Sequence, residues 1–248
     1  MVIDRNNILL ELKKINKRFG DLHVLNDVSM AVKQGEILVI IGPSGSGKTT
    51  LLRCINALVI IDSGEIIVEN KIINPKSRDI HNLRENFGFI FQSFNLFFHL
   101  TVLENIMLAQ RIVKKRNVKE AKDKSFFLLQ KVGLKDKANS YPSQLSGGQQ
   151  QRIAIARAMA MDPKLLLMDE ITSALDPELV SEVMDVVIEL AKEGMTMIIV
   201  THEMGFAKNL ANRIIFMDKG RIIEQGNPKK IFNNPEQKRT QDFLNKIL

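Results

Sequence analysis

The spacing of apolar and polar positions changes twice along this chain and divides it into three stretches. In the first, Leu10-Glu11-Leu12 and Val28-Ser29-Met30-Ala31-Val32 alternate apolar with small or polar residues, which predicts half-buried strands. The run Ile37-Leu38-Val39-Ile40-Ile41 has no polar position and predicts a strand covered on both faces. It leads into a glycine-rich loop, after which Thr50-Leu51-Leu52-Arg53-Cys54-Ile55 reads as helix. In the middle stretch, Thr101-Val102-Leu103-Glu104 and Asn117-Val118-Lys119-Glu120 have the capping-box spacing that opens helices, and Gly133 marks a C-terminal stop. Strand and helix then alternate again. Leu165-Leu166-Leu167-Met168 predicts a buried strand, and Asp176-Pro177-Glu178 supplies an N-cap, a first-position proline and an acidic first turn. Gly194 ends that helix, and Met197-Ile198-Ile199-Val200 predicts the next buried strand. Ile214-Ile215-Phe216-Met217 and Arg221-Ile222-Ile223-Glu224 flank Asp218-Lys219-Gly220 as a hairpin. There is no internal repeat and no low-complexity run.

The pattern predicts an α/β core from residues 1–92 and 163–248, interrupted by a helical insert at 93–162, in a single domain of 1–248. A chain of 248 residues can bury a sizeable core. Its one cysteine, Cys54, excludes an intramolecular disulfide, and with no signal-like opening segment the expected compartment is the cytosol. The longest apolar stretches, residues 37–41 and 57–61, fall far short of the ~20 residues that span a bilayer. A membrane role therefore requires a partner that crosses the membrane. The net charge of +7 and pI near 9.4 raise a nucleic-acid reading. Against it stand the absence of Trp, the single Tyr and the apolar context of most Phe residues, so nucleic acid is not the expected partner. An anionic membrane surface accounts for the charge equally well.

The loop Gly42-Pro43-Ser44-Gly45-Ser46-Gly47-Lys48-Thr49 matches the spacing G-x-x-x-x-G-K-[ST], between a buried strand and a helix. Glycines let the backbone wrap phosphates, successive N–H groups point at the oxygens, and the helix N-terminus adds its positive end. Lys48 is expected at the β- and γ-phosphates of ATP and the Thr49 hydroxyl on Mg²⁺. The second constellation is Leu165-Leu166-Leu167-Met168-Asp169-Glu170, a strand that delivers two carboxylates to its C-terminal end, where open α/β sheets bind ligands. Asp169 suits Mg²⁺, and Glu170 suits polarisation of an attacking water. The third is Leu145-Ser146-Gly147-Gly148-Gln149 at the start of a helical pattern. It reads either as a second anion site or as a plain N-cap with a Gly-Gly turn, and the pattern leaves both open.

Taken in order, Gly42 to Thr49, Gln92, Leu145 to Gln149, Asp169-Glu170, Ser173-Ala174-Leu175-Asp176 and His202 resemble an ABC ATPase, the motor subunit of ABC transporters. The resemblance covers essentially the whole chain, and Leu-Ser-Gly-Gly-Gln is that family's signature. It implies a P-loop NTPase core of mostly parallel sheet with helices on both faces, an N-terminal antiparallel β-subdomain, and a helical signature subdomain at 93–162. It further implies a homodimer in which Ser146, Gly147, Gly148 and Gln149 contact the partner's ATP, with Asp176 crossing the interface. Phe19 takes the position of the adenine-stacking aromatic, with a strand-end core phenylalanine as the alternative. Thr50 joins the ATP-binding residues, Gln92 senses Mg²⁺ and the γ-phosphate, and His202 orients water. Ile171 departs from the proline usual after the catalytic Glu, which implies a looser turn into Thr172-Ser173. The retained Glu170 and His202 imply an active ATPase. His23, His81 and His99 show no metal-ligand spacing.

Within the family, Phe91-Gln92-Ser93-Phe94-Asn95-Leu96-Phe97, Thr201-His202-Glu203-Met204-Gly205-Phe206-Ala207 and Asp176-Pro177-Glu178-Leu179-Val180 resemble the ATPases of bacterial polar amino-acid uptake, glutamine importers above all. Phe98 and Leu58-Val59-Ile60-Ile61 depart from that branch. The implied partners are two integral-membrane permease subunits and, indirectly, a substrate-binding protein, with the chain peripheral on the cytoplasmic face of the inner membrane. The alternatives are another transport or cell-division ATPase, or one acting on DNA or ribosomes. Because the chain ends soon after its last helical pattern, no regulatory domain is expected.

Overall fold

The computed structural model describes residues 7–74 and 79–247. In chain order the elements are β1 (Ile8–Phe19), β2 (Leu22–Lys33), β3 (Ile37–Ile41), α1 (Lys48–Ile55), β4 (Ser63–Val68), β5 (Lys71–Ile72), α2 (Asp79–Asn86) and β6 (Phe87–Ile90). Next come α3 (Val102–Ile112), α4 (Val118–Lys131), two short 3₁₀ turns, α5 (Gly147–Met159), β7 (Leu165–Asp169) and α6 (Pro177–Lys192). The chain continues through β8 (Thr196–Val200), α7 (Met204–Leu210), β9 (Arg213–Asp218), β10 (Arg221–Gly226), α8 (Pro228–Asn233) and α9 (Lys238–Leu244). The described residues divide into two compact units, one within 1–84 and 194–248 and the other within 85–193.

In the first unit, β1 pairs antiparallel with both β2 and β4, and β4 with β5. Strand β1 is far longer than the alternation at residues 10–12 suggested. The alternation breaks at Lys14, whose φ of 47° throws the register, and Asp27 at φ 51° answers it on β2. Strand β3 lies between β8 and β9, parallel to both, and all five of its residues are buried, as an unbroken apolar run requires. Truncating one of these side chains to Ala costs about 2–5 kcal/mol. Strands β9 and β10 form the expected hairpin, closed by Lys219 at φ 45° and Gly220 at φ 75°, the left-handed pair that suits a two-residue turn. The C-terminal segment is tied to this hairpin. The buried Glu224 carboxylate accepts from the backbone N–H of Glu236 (2.8 Å) and Gln237 (3.1 Å), and the Phe243 ring sits 5.0 Å from that of Phe216.

In the second unit, β6 and β7 pair in parallel, and α3, α4 and α5 pack on one another. Both predicted capping boxes are formed, with Thr101 accepting from the Glu104 N–H at 3.3 Å and Asn117 from the Glu120 N–H at 2.9 Å. Gly133 follows α4 at φ 70° and Gly194 follows α6 at φ 81°, the stop signals read from sequence.

Cys54 is buried on α1, and that burial pushes its thiol up to about 12 from 9.0. The expected result is that iodoacetamide at pH 8 leaves the native chain unmodified and alkylates it only after denaturation, read by intact mass. Because the folded thiol keeps its proton above the pH at which an unfolded one loses it, Cys54 favours unfolding as pH rises past about 9.

Candidate functional site

In the first unit the chain leaves β3 at Ile41 and turns at once. Gly42 sits at φ 152°, and a Cβ there would stand 2.1 Å from the Met217 carbonyl oxygen on the neighbouring β9, so only glycine fits. The Ser46 N–H closes the loop on the Pro43 carbonyl at 3.2 Å. Helix α1 then begins with Gly47 at its N-cap, in a left-handed backbone at φ 99°. The Ser46 hydroxyl is buried with no hydrogen-bond partner. Lys48 is 4% exposed, and its Nζ donates to the carbonyls of Gly42 (2.9 Å) and Pro43 (3.0 Å). An orphan hydroxyl at Ser46 and a buried ammonium at Lys48, on either side of Gly47, are the chemistry that suits an anion.

Gly220 braces this loop, a role the sequence did not announce. Its N–H donates to the Ser46 carbonyl at 3.1 Å, and its own carbonyl accepts from the Asn26 N–H at 2.9 Å. A Cβ on Gly220 would stand 2.4 Å from the Val24 carbonyl oxygen, in a left-handed backbone. Gly220→Ala is expected to cost at least about 1–2 kcal/mol of stability from the backbone alone. It should also weaken ATP binding through Ser46, and denaturant melts beside nucleotide titration check both.

His202 is exposed two residues beyond the end of β8, in a turn fixed by the Glu203 N–H on Thr201 Oγ1 at 3.0 Å. Since β8 runs parallel to β3, with Val200 opposite Ile40, His202 and the phosphate loop leave the same edge of the sheet. Phe19 ends β1 at 51% exposure, which removes the core alternative for this ring. Lys17 Nζ lies 5.2 Å from the ring centroid and bonds Asp62 Oδ1 at 2.9 Å, while Arg18 N–H bonds Asp62 Oδ2 at 2.6 Å. The Lys17 and Arg18 hydrogen bonds hold the Asp62 carboxyl below its usual range.

In the second unit, the parallel pair β6 and β7 brings its carboxyl ends together, with Ile90 opposite Met168. Gln92 lies two residues past β6. The ladder stops at Ile90, and the Phe91 carbonyl is taken by Gln151 Nε2 at 3.2 Å. Asp169 is the last residue of β7 and 3% exposed. Glu170 follows in a left-handed backbone at φ 48°. The turn after it is not loose, as the Ile171 departure suggested. Ile171 is buried, and the Glu170 carbonyl accepts from both the N–H (3.1 Å) and the hydroxyl (2.8 Å) of Ser173. Ser146 caps α5 in a full capping box, its Oγ accepting from the Gln149 N–H at 3.3 Å. Asp176 holds the N-cap position of α6 but makes no side-chain cap, so its carboxylate stays exposed.

Among the described residues no three or more His, Cys, Asp or Glu side chains group to hold a metal ion. Nor is any described helix long and apolar enough to cross a membrane.

The family profile described as ABC transporter matches residues 25–173. The glutamine transport ATP-binding protein GlnQ of Geobacillus stearothermophilus is 57% identical over 240 residues, 97% of this chain and 99% of that protein. The glutamate/aspartate import ATP-binding protein GltL of Escherichia coli K12 is 52% identical over 97% of this chain and 100% of its own length. Among solved structures, cbiO1 from Clostridium perfringens, part of the ABC transporter complex cbiONQ, superposes with a TM-score of 0.84 at 34% identity, covering 92% of each chain. A dimeric ATP-binding cassette in a post-hydrolysis state, bound to ADP and Pi, follows at a TM-score of 0.79 and 35% identity, covering 89% of this chain and 99% of that one. With a family profile over more than half of its length and near-complete alignment to such relatives, the chain belongs to the ABC transporter family, as an ATP-binding and ATP-hydrolysing subunit.

Proposed function

We propose that the chain is the motor of a bacterial importer for a polar amino acid, with glutamine the first candidate. It works as a homodimer against two membrane-spanning permease subunits, on the cytoplasmic face of the inner membrane, and a separate binding protein delivers the substrate. The observation that carries this reading is the full-length identity to proteins named for glutamine transport, together with 54% identity to one named for arginine transport. ATP binding closes the dimer, and hydrolysis with product release reopens it.

Residues Gly42 to Thr50 hold the phosphates in this reading, with Lys48 supplying the charge, and Phe19 stacks on adenine. Glu170 polarises the attacking water and His202 orients it. Ser146, Gly147, Gly148, Gln149 and Asp176 serve the ATP of the partner chain. The hydroxyl of Thr49, the amide of Gln92 and the carboxylate of Asp169 are each a hard oxygen donor of the kind Mg²⁺ takes, and Mg²⁺ held by them would neutralise developing phosphate charge. Residues 93–162 form the subdomain that grips the permease, and the exposed rings of Phe97 and Phe98 give it an apolar surface near Gln92.

The test is reconstitution with the permease and measurement of ATP turnover against a panel of loaded amino-acid binding proteins. Stimulation by the glutamine-loaded protein is the expected result. Turnover indifferent to every loaded binding protein and driven by DNA instead would sink the importer reading.

A further inference from the structure

The loop that carries Gln92 is fastened to helix α5 through its own carbonyls. Gln151 Nε2 donates to Phe91 O at 3.2 Å, Arg157 Nη1 to Asn95 O at 2.6 Å, and Arg157 Nη2 to Phe94 O at 3.3 Å. Phe94 also touches the start of that helix, since a Cβ on Gly147 would stand 3.4 Å from its ring Cζ. Gly147 and Gln151 lie one helical turn apart, on the same face of α5. The far side of the loop is held by Asn105, which is 1% exposed. Its Oδ1 accepts from the Phe97 N–H at 2.8 Å and its Nδ2 donates to the Phe97 carbonyl at 3.0 Å.

Packing does not account for Gln151. Its side chain is 0% exposed, and its Oε1 has no hydrogen-bond partner. A methionine would fill the same volume without stranding a buried acceptor. What the amide adds is the one bond to Phe91 O, directly beside Gln92.

We propose that Gln151 and Arg157 are positioning residues that join the Gln92 loop and the Ser146 helix start into one mechanical unit, so that a nucleotide held at either sets the geometry of the other. The inference rests on the reading above, in which Gln92 meets the nucleotide of its own chain while Ser146 to Gly148 meet that of the partner. Each chain then touches both nucleotides of the dimer through a single helix. Occupation of one site favours the other, and ATP turnover is positively cooperative.

The test uses Gln151→Met and Arg157→Lys in the full chain. Methionine keeps the volume and cannot donate, whereas lysine keeps the charge and lacks the planar fork that reaches two carbonyls. Turnover is followed against ATP concentration, at chain concentrations high enough that turnover per chain no longer changes, with thermal melts and nucleotide affinity of the dilute monomer alongside. Both variants are expected to fold and to bind ATP as monomers like the parent. Turnover should fall roughly tenfold, as for a mispositioned catalytic group, with a Hill coefficient dropping from about 2 toward about 1. A structural role alone would lower the melting temperature and leave the Hill coefficient where it was. The proposal is overturned if the parent hydrolyses ATP without cooperativity, or if folded variants keep its cooperativity and turnover. Should Gln151→Met fail to fold, Arg157→Lys decides the matter by the same readouts. A parent with no ATPase activity at all would instead strike the proposed function.

Discussion

Lys48→Ala should lower ATP affinity by at least about a hundredfold. A charged hydrogen bond is worth about 1.5–3 kcal/mol, every 1.4 kcal/mol is a factor of about ten, and Lys48 is assigned to two phosphates at once. The buried ammonium also bonds the Gly42 and Pro43 carbonyls, so its removal acts on the loop as well as on the ligand. Nucleotide titration measures the loss, and thermal melts separate it from misfolding. ATP should raise the melting temperature of the parent by mass action and leave that of the variant unmoved. A variant that still melts higher with ATP would remove Lys48 from the phosphates.

Glu170→Gln should do the opposite to binding. The amide matches the carboxylate in size and carries the same backbone substituents, so the left-handed geometry at φ 48° costs the same in both chains. What is lost is the base. Turnover is expected to fall about 10²–10⁴-fold, the ordinary worth of general-base assistance, while ATP still binds. With hydrolysis stalled, the ATP-bound dimer should accumulate and elute earlier than the monomer on size exclusion. Full turnover in this variant would take the role of base away from Glu170.

Much of the core was legible because its signals are local. The unbroken apolar run at 37–41, the capping serines, threonines and asparagines, and the Lys219-Gly220 turn each fix their own backbone whatever lies around them. Helix α8 carries a local signal too, since Asn227 caps it ahead of Pro228. Helix α9 does not: Gln237 at its N-cap makes no side-chain bond, and tertiary anchors such as Glu224 and the Phe216–Phe243 contact hold the segment. The full length of β1 was hidden by the bulge at Lys14. For the candidate site, the phosphate loop and acidic strand end announce themselves by spacing. Its supports do not. Gly220 reaches Ser46, Lys17 reaches Asp62, and Gln151 reaches Phe91 across many residues of chain, and only folding brings such pairs together.

The left-handed backbone at Glu170 has a consequence for how this protein varies. Glycine or asparagine adopts that backbone at less cost than a long side chain, so the position assigned to the base carries a backbone cost of its own. Selection for thermal robustness alone would therefore drift toward chains that still bind nucleotide and no longer turn it over. If Glu170 is the base, keeping glutamate just past β7 requires selection that acts on the work the protein does.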